Sequence, residues 1–365
     1  MIIFIAITFL YVIFIYWFEI FQYLLINKLA SLCLGGIIFY LLLYNVTYNS
    51  DWDMYDAIYM GHTESSDFLF NFISKIFSEK GYDYSSVYKL HIFLIGVGFI
   101  YFASRNSFSN VFGIITTYLI FQIVPVSNQI RYYVAFSFFL IAIYNLIVLK
   151  NKLVFFVFGV LALISHSAII LMSPFIYFYY TNNEKYIPKL ILSSLILASA
   201  FYFISFVGFI FSFHFGSYFQ KDLVSSFSGG LFNNFIWLFW FLFVYKINKR
   251  LLKSNSLKIE CDVKYQFLYK ISLYSIVFFP VSLLIQVLAH RYIIASLIFW
   301  LLFYYYSLNF EESLSNRLLS MLVFIVLILV TFFYMYILPT FLLGSSATEA
   351  VFQLFLSNKI FFNNI

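Results

Sequence analysis

Uninterrupted apolar runs of about 17 to 23 residues recur from one end of this chain to the other, each long enough to cross a hydrocarbon core of about 30 Å as a helix. A backbone in lipid must satisfy its own polar groups, so the runs are read as helices and the fold class as all-α, a polytopic integral membrane protein. Composition excludes a water-soluble fold. Of the 365 residues 64% are hydrophobic and 10% are charged, against about a quarter charged in an ordinary soluble domain.

Spans are expected near 1–18, 29–44, 87–104, 108–124, 130–149, 152–165, 167–181, 189–212, 231–246, 266–288, 292–309 and 317–338. That makes about twelve transmembrane or re-entrant helices, in a single integral membrane domain over 1–365. Met1 to Phe18 has no basic n-region and no small-residue cleavage site, so it is read as a retained span. The stretch 152–180 is too long for one span, is interrupted by Ser165-His166-Ser167 and carries Pro174 near its end. Charge decides how it divides. If it crossed once, the basic loop 246–265, with Lys246, Lys249, Arg250, Lys253, Lys258 and Lys264, would fall outside, against the positive-inside bias.

Two short or re-entrant segments meeting at His166 instead put that loop in the cytoplasm, together with Lys28, Arg105, Lys150, Lys152, Lys185, Lys189 and Arg317. Asp51, Asp53, Asp56, Glu64 and Asp67 then fall outside, in a long external loop 45–86. That loop holds an amphipathic stretch, Phe68, Leu69, Phe72, Ile73, Ile76 and Phe77, expected to lie in the membrane interface. A second external loop covers 213–230, and the tail after Pro339, with Val351-Phe352-Leu354-Phe355, is expected on the membrane surface. The net charge of +6 is attributed to this bias, and no nucleic-acid partner is expected.

Three residues gather on the external side of this topology. Arg131 and Arg291 each stand at the external end of a strongly apolar helix, flanked by Gln129 and His290 respectively. A charge there is costly unless it is paired or used. Snorkelling at a helix end is the plain explanation for either arginine alone, but two planar forks that cannot lose their protons suit a diphosphate. His166, at the break in 152–180, has the chemistry of a general base or of a donor to a leaving oxygen, and equally of a helix-capping residue. In the loop, Asp51, Tyr55 and Tyr59 form D-x3-Y-x3-Y, which aligns three side chains on one helix face, with Trp52, Asp53 and Tyr132 as further contacts. A carboxylate there can serve as a base and the aromatic faces can stack on sugars. With 32 Tyr and 52 Phe in the chain, interfacial anchoring explains aromatic residues equally well.

His62, His91 and His214 show no ligand spacing with one another or with Cys33 and Cys261, so no metal is expected. No Walker loop, dinucleotide fingerprint or nucleophile elbow is present, and no cofactor is expected.

The order of these features resembles the EpsG family of Wzy-like polysaccharide polymerases. The features run from Glu19 at the end of the first span, through Asp51, Tyr55 and Tyr59 and the amphipathic Phe68 to Phe77, to Gln129-Ile130-Arg131 with Tyr132, Tyr133 and Val134-Ala135. Ser165-His166-Ser167-Ala168 and the late Arg291-Tyr292 complete the set. Two places depart from the family's pattern: Tyr44-Asn45-Val46-Thr47 stands where an arginine is often found, and Ser66-Asp67 replaces the usual Glu-Pro. The resemblance implies a multi-pass glycosyltransferase of the cytoplasmic membrane. It would join undecaprenyl-diphosphate-linked repeat units of an O-antigen, capsule or exopolysaccharide on the external face, with a flippase and a chain-length regulator as partners. Asp51 or His166 would be the base, and Arg131 and Arg291 would stabilise the departing diphosphate. The alternative is a lipid-linked oligosaccharide flippase or transporter, which would call for buried polar residues along a path or an internal repeat. No repeat is visible, and Lys270 is the charge that lies deep in a span.

Overall fold

The computed structural model of the chain describes residues 25–63, 65–206, 227–283, 285, 288–338 and 347–360. The expected span 1–18, Glu19, Glu64, His214 and most of the loop 213–230 lie outside them. The described residues form helices: α1 (Leu25–Leu43), α2 (Trp52–Tyr59), α3 (Phe68–Glu79), α4 (Tyr84–Asn106), α5 (Val111–Asn128), α6 (Ile130–Ile147), α7 (Lys152–Ser165), α8 (Phe175–Tyr179), α9 (Asn183–Phe206), α10 (Phe227–Cys261), α11 (Val263–Tyr274), α12 (Leu297–Ser307), α13 (Leu314–Phe332) and α14 (Ala347–Leu356). An isolated antiparallel bridge joins Val46 to Asn358. Among the described residues, five continuous helical segments are long and apolar enough to cross a membrane: Tyr84–Asn106, Phe108–Asn128, Ile130–Ile147, Arg291–Phe310 and Leu314–Ile337.

The chain divides into two compact units, residues 1–171 with 328–365 and residues 172–327. In the first, α6 and α7 form an antiparallel hairpin around the short turn 148–151. Lys150 takes the left-handed backbone conformation at φ 57°, and the Asn151 side chain accepts from the Val154 N–H at 3.1 Å to cap α7. Because the hairpin returns on itself, Arg131 at the start of α6 and His166 just after α7 arrive at the same end. The outer face of α7 carries Leu153, Phe156, Val157, Val160 and Leu163 exposed, an apolar stripe suited to lipid rather than water. α4 packs on α6 so closely that a Cβ on Gly98 would sit 2.6 Å from Ser137 Cβ.

Charges in this unit separate by end. Lys28 opens α1, Arg105 closes α4, and Lys150 and Lys152 occupy the α6–α7 turn. The ends are matched by contact: the Phe112 N–H at the start of α5 donates to Ser31 near the start of α1, and Tyr144 Oη donates to the Arg105 carbonyl. At the opposite end lie Asp51, Asp53, Asp56, Asp67, Glu79 and Asp83, interspersed with Lys75, Lys80 and Lys89. α14 closes over that end. Asn358 Nδ2 donates to the last carbonyls of α1, Leu41 and Leu42, at 3.0 and 3.1 Å, while Thr47 N–H and Oγ1 both reach the Ser357 carbonyl. Carbonyls that a helix leaves unpaired at its C-terminus are satisfied in this way.

In the second unit the basic segment expected as a loop at 246–265 is helical as far as Cys261, because α10 runs through it with a non-helical interruption at Asn255. The expected span 266–288 is also interrupted. α11 ends at Tyr274, and 3-10 and α turns follow across Ser275–Ser282, where Pro280 cannot donate to a continuing helix. The core holds Trp237, Trp240 and Trp300, the last two stacked at 5.7 Å. Lys270 is buried there, with Nζ donating to the Tyr179 and Thr181 carbonyls at 2.7 Å each. A cation at the C-terminal end of α8 is a helix-capping arrangement.

Candidate functional site

The first unit brings together a carboxylate, a guanidinium and an imidazole at the acidic end of its helices. Arg131 Nη1 lies 2.8 Å from Asp67 Oδ2, and His166 Nδ1 lies 3.1 Å from both Asp67 oxygens. Nη1 also donates to Ser65 Oγ. The side chains are withdrawn from solvent, at 2% exposure for Asp67, 6% for His166 and 16% for Arg131. The guanidinium lies over the rings of Tyr55 and Phe70, 5.0 and 5.6 Å from their centroids, an arrangement favourable for a cation and stronger where water is excluded.

Each member is delivered by a break in local structure. Asp67 occupies the N-cap of α3 with extended backbone, yet its carboxylate makes no capping hydrogen bond. By contrast, Asp83 accepts from the Ser86 N–H to cap α4, and Asp262 accepts from the Tyr265 N–H to cap α11. His166 ends α7 in an extended conformation, and a 3-10 segment Ser167–Met172 follows, so the imidazole leaves the helix face and turns towards α3. Arg131 is the second residue of α6, immediately after the interruption at Gln129 that separates α5 from α6.

The remaining expected residues fall around this group. Tyr132 is buried and meets His166 edge to face at 5.9 Å. Gln129 is half-buried, and its carbonyl accepts from the Tyr133 N–H. Tyr55 and Tyr59 share one buried face of α2, as the D-x3-Y-x3-Y spacing predicts, and pack on Tyr84. Trp52 is half-buried against Tyr84 and Tyr88. Asp51 is the N-cap residue of the same helix, and Asp53 is exposed. The carboxylate shared by Arg131 and His166 is therefore that of Asp67, a residue that sequence reasoning placed among the external acids and in Ser66-Asp67 but not in the site. Its signal in the sequence was its position directly before the amphipathic Phe68, where the family has an acidic residue and a proline. Arg291 belongs to the second unit. It is half-buried and lies with His290 in the π-helical turn Ala289–Ile293, at the end of its span opposite Glu311 and Arg250, which pair at 2.6 Å.

Outside the spanning segments, Asp83 is held below the usual carboxylate range, chiefly by the hydroxyl of Ser86.

Helices long and apolar enough to cross a membrane, with a buried Arg–Asp–His group at the start of one of them, define the class as an all-helical membrane protein with an ionisable site. The chain matches the EpsG family over residues 28–347, most of its length, and belongs to that family of Wzy-like polymerases of polysaccharide biosynthesis. No curated protein and no solved structure matches it.

Proposed function

We propose that the protein joins polyprenyl-diphosphate-linked oligosaccharide repeats on the external face of the cytoplasmic membrane, transferring a growing glycan to the terminal sugar of the next lipid-linked repeat. The observation that carries this reading is the buried Arg131–Asp67–His166 group at the acidic end of the first unit. The basic ends of α1, α4 and the α6–α7 turn support a cytoplasmic assignment for the opposite end. Arg291 of the second unit is held in a π-helical turn, and such turns are frequent at functional sites.

The chemistry follows from the groups present. The acceptor hydroxyl attacks the anomeric carbon of the donor, the bond from that carbon to the diphosphate oxygen breaks, and its electron pair leaves with the diphosphate. His166 takes the hydroxyl proton and later returns it to water or to the released diphosphate. The guanidinium of Arg131, of whose five donors those on Nη1 serve Asp67 and Ser65, stabilises the charge that develops on the leaving oxygen. Tyr132 walls the imidazole, and the half-buried ring of Trp52 is the group of α2 best placed to meet a sugar. A flippase reading gains little from Lys270, whose charge is engaged in capping α8.

Purified protein in liposomes, supplied with undecaprenyl-diphosphate repeats, is expected to yield lipid-linked products of two or more repeats together with free undecaprenyl diphosphate. Repeats that cross the bilayer without being joined would identify a transporter and overturn the proposal.

A further inference from the structure

We infer that Asp67 is a positioning residue that holds His166 in the tautomer with hydrogen on Nδ1, leaving Nε2 as the atom that accepts the proton of the attacking hydroxyl. The role in catalysis rests on the polymerase reading; the tautomer rests on geometry. A carboxylate that already accepts from Arg131 Nη1 at 2.8 Å presents only acceptor sites to its other neighbours. An imidazole nitrogen 3.1 Å from both of its oxygens must therefore donate. In a neutral imidazole the second nitrogen is then the acceptor, and the partner of one ring nitrogen fixes the task of the other.

Asp67 is also set apart from the other N-cap aspartates. At its position the local option is to cap α3, as Asp83 caps α4, and the side chain forgoes that bond for Arg131 and His166. A carboxylate serving only α3 would have no reason to reach residues 64 and 99 positions away in sequence. Among the described residues, Asp67 from the start of α3 and Tyr132 and Arg131 from α6 are charged or titratable groups around the imidazole. Tyr55 of α2 and Phe70 of α3 face the guanidinium, and His91 of α4 lies behind Phe70. Among them Asp67 is the group that can oppose the positive charge the imidazole gains when Nε2 takes a proton.

The test uses the full-length protein in liposomes and three variants. With Asp67→Asn, the amide can turn an N–H towards Nδ1 and invert the tautomer, so kcat is expected to fall about 10²- to 10⁴-fold, the range that general-base catalysis contributes. The acid limb of the kcat/KM profile should move to lower pH, because the imidazolium has lost its counter-charge while Arg131 remains. Asp67→Glu, which keeps the carboxylate, should recover most of the rate and the original pH limb. His166→Gln combined with Asp67→Asn should be no slower than His166→Gln alone, since Asp67 acts through His166. A rate and pH profile unchanged in Asp67→Asn, or losses that multiply in the double variant, would overturn the assignment. Independently of activity, ¹⁵N shifts of labelled histidines, with His166 assigned by its loss in His166→Gln, should show hydrogen on Nδ1. Hydrogen on Nε2 alone would overturn the assignment even if Asp67→Asn failed to accumulate. Failure of the wild-type protein to join repeats would remove the polymerase reading and leave the tautomer measurement standing.

Discussion

Arg131 is buried against a single carboxylate, and this decides how it can be probed. Removing one member of a buried ion pair strands the other and costs about 3–5 kcal/mol. Arg131→Ala is therefore expected to lower the amount of folded protein in the membrane as well as its activity. Arg131→Lys keeps a charge for Asp67 but loses the planar fork, so it should accumulate near the normal level and extend chains poorly; immunoblots of membranes beside glycan gels check both. Asp83 gives a contrasting case, a carboxylate used for capping alone. Its folded pKa lies below the usual range, so its contribution is present above about pH 4 and is lost as pH falls through the lowered value. Asp83→Ala should cost about 1 kcal/mol, seen as a lower unfolding temperature in detergent at pH 7 and a difference that narrows as pH falls below about 4. At this scale the sequence exposed Arg131 and His166, because a charge at the end of an apolar helix and a polar break in an apolar run stand out. Asp67 did not stand out, since one acid in a loop of acids carries no mark of the side chains, 64 and 99 residues on, that it will meet.

The site also depends on how closely its helices approach. Gly98 of α4 faces Ser137 of α6, which lies less than two helix turns beyond Arg131 on α6. An added methyl at 2.6 Å must push α6 away, and overpacking of this kind costs about 1–3 kcal/mol. Gly98→Ala is expected to lower thermal stability by that order and to reduce chain extension, whereas Gly159→Ala on α7, where a Cβ meets nothing within 4 Å, should leave extension unchanged and raise stability by about 0.5–1 kcal/mol. Parallel unfolding and extension assays separate the two. Helices were legible from apolar length, and α7 ends at Ser165-His166-Ser167, where polar residues interrupt the apolar run. The extension of α10 through Lys246 to Cys261 was not legible, because a basic polar segment reads as a loop when length and apolarity are the only signals, although lysine and arginine are good helix formers. Nor was the interruption after Tyr274, where Pro280 lies within an otherwise unbroken apolar run.

At the scale of the whole chain, membership of the EpsG family and the charge asymmetry within the first unit are what support the proposal of a polymerase with its ionisable site on the external side. Composition and apolar periodicity were enough to read a membrane protein, and the ordered motifs were enough to read the family. The chemistry needed the hairpin of α6 and α7, which carries residue 166 back to residue 131. The most direct test is in the native host: delete the gene, restore it as wild type or as His166→Gln at equal membrane level, and size the surface glycan on a gel. The account predicts a long ladder with the wild type and a collapse to single lipid-linked repeats, exposed on the external face, in both the deletion and the variant. A full ladder from His166→Gln, or repeats retained on the cytoplasmic face in the deletion, would contradict it.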